Sequence, residues 1–263
     1  MKTLRVLSLG AGVQSTALAL MSHYGEIEPF DSIIFADTGW EPGKVYEQLA
    51  ALQELMPIKI VKAGDVRDFG KTERKEGQTR FASIPLWIKN SKGKIAPMRR
   101  QCTREYKIDP IEKYIRRELV GLEYRQWWPK KELLLEVNLG ISTDEIQRVA
   151  QDSRKKWKIN RFPLIELGMS RDDCISYLKD RGFTTHRSAC IGCPYRSNTE
   201  WGLIREELDE WASAVRFDNQ IRHILPDAEC FLHKSGIPLN QVDLSDTLND
   251  SSLLDECSGL CSN

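Results

Sequence analysis

Apolar and polar positions alternate between two periods along the first third of the chain. Residues 4–9 (LRVLSL) form a short apolar run that ends at Gly10 and Gly12. STALALMSHYG follows, with the alanines and leucines of a helix and Gly25 as its stop. Residues 32–36 (SIIFA) predict a second buried strand, and DTGWEPG a turn. VYEQLAALQELM has helical spacing, and IKIVKAG predicts a third strand. This β-α-β-α-β order predicts an α/β fold with a mostly parallel central sheet flanked by helices. In such sheets ligands bind beyond the carboxyl ends of the strands, where the glycine turn and DTGW both fall.

Residues 64–101, rich in Lys, Arg and Gly around a central SIPLWI, predict a long, partly mobile loop. IDPIEKYIRREL predicts a helix, EYRQWWPKK an irregular insertion and LLLEVNLGIS a further strand. DEIQRVAQDSRKK predicts another helix. SRDDCISYLKDRG predicts a helix capped by Ser170 with Asp173 at its third position. EWGLIREELDEWASAVRFDNQIR reads as one long amphipathic helix, and the Asp-, Ser- and Asn-rich tail from about 243 as flexible. The expected division is an α/β domain over 1–200 that carries a cysteine cluster, then a C-terminal helix and cysteine-containing tail over 201–263.

Composition narrows the function classes. Among 263 residues, 38 Lys+Arg balance 38 Asp+Glu, which argues against a globally basic nucleic-acid wrapper but leaves room for a local patch. No apolar run approaches the ~20 residues that span a bilayer, so no membrane association is expected. The N-terminus reads as a strand rather than a signal peptide, which implies a cytoplasmic protein. In that reducing setting the seven cysteines are expected to serve metal or catalytic roles rather than disulfides.

SLGAGVQST (8–16) joins a strand to a helix, where glycines admit an anion and the helix N-terminus offers N–H groups. Ser8, Ser15 and Thr16 add hydroxyls. No lysine stands where a Walker loop needs one, and Ser15 replaces the third glycine of the dinucleotide fingerprint. Asp37 has a plainer role open to it as a turn-initiating residue.

Together, SLGAGVQSTAL and DTGWEPGKVYEQL resemble the PP-loop and second-strand motif of the adenine nucleotide α-hydrolase superfamily, especially its phosphoadenylyl-sulfate (PAPS) reductase branch. The resemblance implies nucleotide contacts from Ser8, Gly10, Ala11, Gly12, Gln14, Ser15, Asp37, Thr38 and Gly39. Gln14 stands where ATP-cleaving members usually place Asp, and an amide holds Mg²⁺ or a water poorly. GISTDEIQRVA resembles a further family segment, adding Gly140 to the nucleotide site and Arg148 as a bidentate partner for phosphate or sulfate. Arg148 could equally pair with Asp144 along a helix.

The family's iron–sulfur members pair Cys-Cys with a later C-x-x-C; here Gln101–Cys102 precedes Cys190 and Cys193 (CIGC). Three cysteines imply a 4Fe–4S cluster with one open iron, or alternatively zinc with His186 as the fourth ligand, or small buried hydrophobes. Cys174 and Cys230 read as core. Arg99, Arg100, Arg104 and Lys107 around Cys102 suit an anionic substrate or a solvated basic face. Trp87 and Trp127–Trp128 could stack a base or cover core edges. The ending DECSGLCSN is similar to the mobile C-terminal segment of sulfonucleotide reductases, making Cys257 the candidate nucleophile; Cys261 could resolve a disulfide on it.

The resemblance therefore implies a thiol-dependent reductase of an adenylyl sulfate with a thioredoxin-like donor. The alternatives are ATP-dependent thiolation of a nucleobase or nucleic acid, and a nucleotide sensor without turnover. A small adenine nucleotide, ATP or an adenylyl sulfate, is the expected ligand in all three.

Overall fold

The computed structural model describes residues 1–68, 84–149 and 155–245. They divide into two compact units: the described residues of Met1–Ala63 and Thr103–Ser188, and those of Gly64–Cys102 and Ala189–Asp255. The units interleave along the chain.

The first unit carries the predicted α/β sheet. β1 (Lys2–Leu9), α1 (Val13–His23), β2 (Ser32–Asp37), α2 (Gly43–Leu55) and β3 (Ile58–Lys62) follow the sequence pattern closely. In the second unit β4 (Trp87–Asn90) and β5 (Ile95–Pro97) form an antiparallel hairpin. Part of the segment read as loop is thus a strand pair, with Gly93 at φ +76 closing its turn. Residues 69–83 of that segment lie outside the described residues.

The first unit continues with a helical stretch over Thr103–Ile108, α3 (Asp109–Tyr114) and Ile115–Leu119. β6 (Leu133–Leu139) and β7 (Lys158–Arg161) complete a five-stranded, all-parallel sheet in the order β3-β2-β1-β6-β7. The chain works outward from β1 through β2 and β3, then resumes on the other side of β1 with β6. The switch point lies between β1 and β6, and their carboxyl ends frame the crevice where such sheets bind ligands.

Strand alternation splits the core between the two faces of the sheet. Leu7, Leu9, Ile33 and Phe35 pack with α1 and α2. Val6, Ile34, Val137 and Leu139 pack with Ile111 and Ile115. α4 (Pro163–Glu166) and α5 (Arg171–Lys179) follow β7, and α5 begins with the full Ser170–Asp173 capping box expected from the sequence.

Two helix expectations need correction. DEIQRV makes only a short 3₁₀ segment, Thr143–Arg148, kinked at Glu145. The kink accompanies inward-facing side chains at 145 and 148, described below. The long helix expected over 200–222 is two helices of the second unit, α6 (Asn198–Glu206) and α7 (Leu208–Ile221), because Glu207 between them is extended at φ −92, ψ 94. β8 (Ala228–Phe231) then pairs with β4. Among the described residues no helix is long and apolar enough to cross a membrane.

Candidate functional site

The turn between β1 and α1 is built around main-chain donors. Gly10 N–H donates to Ser15 Oγ (3.1 Å), folding the turn on itself, and Thr16 N–H donates to the Gly12 carbonyl (3.0 Å) as the first bond of α1. Between them, the N–H groups of Ala11, Gly12, Val13, Gln14 and Ser15 meet no acceptor among the described residues. All five residues are buried. Ala11 holds a left-handed φ of +54, and Gly12 after it is extended at φ −92, ψ −175. A run of buried donors without acceptors costs stability unless a ligand or water satisfies it.

The glycines of the turn are required by neighbouring chain. A Cβ on Gly12 would lie 2.7 Å from Ser188 Oγ and 3.1 Å from Ser188 N, and one on Gly140 would lie 2.6 Å from Ser15 N. Gly140, at the end of β6, thus lets the first turn of α1 press against the neighbouring strand end. Gln48 of α2 braces the turn from behind, donating to the Ala11 carbonyl (3.1 Å) and Thr16 Oγ1 (2.9 Å) while accepting from Thr184 (2.5 Å). Thr16 is therefore committed to this brace. Neither Gln48 nor Ser188 was singled out by the sequence. Gln48 carried a signal, a polar residue within the buried stripe of Val45, Leu49 and Leu52; Ser188 carried none.

Gln14 is fully buried and donates to Glu145 Oε2 (3.2 Å) and, at 3.4 Å, to Ser142 Oγ. Its Oε1 has no partner among the described residues. Glu145 also accepts from Arg148, and both are buried. Arg148 thus carries a carboxylate partner, which is Glu145 rather than the expected Asp144. Asp144 accepts instead from Ser142 Oγ (3.0 Å) and from Arg171 N–H (2.6 Å).

The DTGW turn is a second polar cluster. Asp37 Oδ1 accepts from Gly39 N–H and from Tyr46 Oη, both at 2.8 Å, and Oδ2 pairs with Lys62 at 3.3 Å. The first bond is the turn-initiating role that residue type favours. Burial and then the Asp37 carboxylate push the Tyr46 phenol well above its usual value. Thr38 donates to Glu41 (2.8 Å), and buried Lys107 pairs with the same carboxylate at 3.7 Å. Gly39 sits at φ +79. Ser8, half-buried on β1, lines a small apolar pocket with Ile111, Ile115, Val137 and Leu139.

Arg99, Arg100 and Cys102 belong to the second unit with Cys190 and Cys193, while Arg104, Lys107 and His186 belong to the first. Arg100 lies over the Tyr195 ring at 5.2 Å, and exposed Arg104 pairs with Asp109 at 3.6 Å. Cys190 and Cys193 are buried and Cys102 half-buried. The CIGC turn closes by Cys193 N–H donating to the Cys190 carbonyl (3.0 Å). Arg196 donates to the carbonyls of Ala189 (2.7 Å), Cys190 (2.9 Å) and Ile191 (3.2 Å), and Trp87 Nε1 to that of Pro194 (3.1 Å). His186 Nδ1 lies 3.0 Å from Thr184 Oγ1, and burial lowers its basicity. Among the described residues no three His, Cys, Asp or Glu side chains are gathered as ligands for an ion. Cys102, Cys190, Cys193 and His186 as placed do not form a ligand set. Cys174 and Cys230 are fully buried, as expected of core residues. Cys257 and Cys261 lie outside the described residues.

The chain is similar to a PAPS reductase. The likeness is to the crystal structure of phosphoadenylyl-sulfate (PAPS) reductase from Candida auris in a phosphate complex, at 14% identity and a TM-score of 0.41, covering 70% of this chain and 75% of that one. At that level it bears on neither ligand nor activity. No protein-family model and no curated protein matches the chain.

Proposed function

We propose that the chain binds an adenine nucleotide through its phosphates at the carboxyl ends of β1 and β6, and acts there as a thiol-dependent reductase of an adenylyl sulfate. The observation that carries the binding site is the set of five N–H groups of the buried residues Ala11–Ser15 that meet no acceptor among the described residues. They lie at the switch point of the sheet, where an anion satisfies donors that the fold leaves open. Gln14 favours the reductase over ATP-dependent thiolation. It offers no carboxylate for Mg²⁺, and its amide is tied to Glu145 and Ser142.

The chemistry is assigned from the resemblance of the tail. The Cys257 thiolate attacks the sulfate sulfur, and the sulfur–oxygen bond to the nucleotide phosphate breaks, its electron pair leaving with the phosphate. One thiolate of a thioredoxin-like dithiol then attacks Cys257 Sγ and displaces sulfite. The second thiol resolves the mixed disulfide, so the dithiol supplies the two electrons that reduce sulfur.

Calorimetry with adenosine 3′,5′-bisphosphate, ATP and adenylyl sulfates tests the binding, and sulfite release with a dithiol tests the reaction. Nucleotide binding is expected, with sulfite release that Cys257→Ser abolishes. Unchanged release by that variant would falsify the nucleophile assignment. AMP and pyrophosphate formed in the presence of a nucleic-acid target would replace it with thiolation, and tight binding without turnover with a sensor.

A further inference from the structure

The loop between the helical stretch ending at Leu119 and β6 holds aromatic rings out in solvent. Trp127 is 91% exposed and Tyr124 74% exposed, in a protein whose other described tryptophans are buried or half-buried. The loop is firmly fixed. Trp128 is buried, stacks on Trp157 (ring centroids 4.5 Å apart, planes 19° apart) and donates to the Leu133 carbonyl at 2.7 Å. Arg116 donates to the Gln126 carbonyl (2.6 Å), and Gln126 Oε1 accepts from Glu123 N–H (2.9 Å). Arg125 adopts a left-handed φ of +65 and lays its guanidinium over the Tyr124 ring at 5.2 Å. An arginine in that conformation and an indole in water both cost free energy, so the chain is strained toward presenting these groups.

The surroundings are cationic, and among residues 113–132 the exposed large aliphatic side chain is Leu119, at 36%. Residues 113–132 contain six Lys or Arg against three Glu, in a chain whose total charge is balanced. Exposed Lys130 and Lys131 flank the tryptophans. Protein interfaces are depleted in lysine and surround their aromatic anchors with apolar side chains. Planar rings interleaved with cations instead match the unpaired bases and phosphates of a single strand. The loop precedes β6, while the phosphate turn faces the far end of that seven-residue strand, roughly 20 Å away. A mononucleotide held in the turn cannot reach Trp127.

We infer that the loop around Trp127 is a docking surface for single-stranded nucleic acid, with Trp127 and Tyr124 stacking bases and Arg125, Lys130 and Lys131 meeting phosphates. The inference does not rest on the nucleotide reading. Fluorescence anisotropy of a labelled oligothymidylate titrated with the full chain tests it. The strand is expected to bind with an affinity that falls as salt rises. Trp127→Ala should weaken binding about tenfold, and Trp127→Phe should retain most of it. Neutralising both lysines (Lys130→Gln with Lys131→Gln) should lower the salt slope by about 1.4. Because the substituted side chains are exposed, melting temperature and adenine-nucleotide affinity should stay at wild-type values. The inference is overturned by absence of binding, by wild-type affinity in Trp127→Ala, by a duplex binding as tightly as the single strand, or by Trp127→Ala changing only self-association in light scattering.

Discussion

Two tight turns, one in each unit, use their main chain in opposite ways. The 10–16 turn leaves donors open: five successive N–H groups have no acceptor among the described residues. The 189–194 turn closes its acceptors: Arg196 takes three successive carbonyls and Trp87 a fourth. Both turns contain glycine and both are buried, so neither composition nor burial separates them. Hydrogen-bond accounting does. Open buried donors are a cost that an anion removes, whereas satisfied carbonyls fix the shape of a loop without any ligand. The first turn has the donors that the proposed anion site needs, and the second has its carbonyls closed around Cys190 and Cys193.

The contrast breaks most severely at Gly140. A Cβ there meets backbone atoms of Ser15 at 2.6 and 2.9 Å, and neither can swing aside. Gly140→Ala should cost about 3 kcal/mol of stability, at the upper end of overpacking effects. Nucleotide binding measured by calorimetry should fall below detection, since α1 must shift. Binding at wild-type affinity would show that the first turn of α1 takes no part. The next largest effect belongs to the other turn. Arg196→Lys replaces a planar fork with a single ammonium that cannot reach three carbonyls in their present directions. A loss of about 2 kcal/mol is expected in chemical denaturation. Faster labelling of Cys190 and Cys193 by a thiol reagent should accompany it. A variant with unchanged stability and labelling would mean that the CIGC turn holds itself.

Both turns could be located in the sequence, but their opposite roles could not. β1, the glycine turn and α1 were legible because an apolar run, two glycines and an alanine-rich stretch coincide within 20 residues. β7 was not, since KINR has one apolar residue and its strand form comes from pairing with β6. SIPLWI lacks a strand signal because its neighbours are polar; Trp87 and Ile88 become strand by pairing with Phe231 and Cys230, far away in sequence. Of the candidate site residues, Gly140 and Ser15 come together at the turn, and Gln14 meets Glu145. Of the helix expected over DEIQRVAQDSRKK, residues 150–154 lie outside the described residues, and DEIQR forms a 3₁₀ segment broken at Glu145 (φ −113, ψ 24), whose side chain forms a buried pair with Arg148. Which groups on each turn are satisfied depends on Gln48, Arg196 and Trp87, contacts that spacing along the chain does not encode.

Glu145→Gln sharpens the comparison with the smallest expected change in binding. Glu145 places a negative charge within hydrogen-bond reach of Gln14, a residue of the turn proposed to bind the anion. For a phosphate arriving at the turn this carboxylate is repulsive, and Arg148 beside it offsets that repulsion. An amide at position 145 keeps the shape and can still accept from Gln14, but removes the charge. The net field at the turn becomes more positive by one unit, worth on the order of 1 kcal/mol at the effective dielectric of a protein site. Affinity for an adenine bisphosphate should therefore rise about fivefold at low ionic strength, and the gain should shrink as salt screens it. Stability should fall in the same variant, because a buried guanidinium loses its carboxylate. The two effects have opposite signs, so a general loosening of the fold cannot produce both. If affinity falls together with stability, Glu145 supports the site only as packing, and the 10–16 turn does not sense charge at that position.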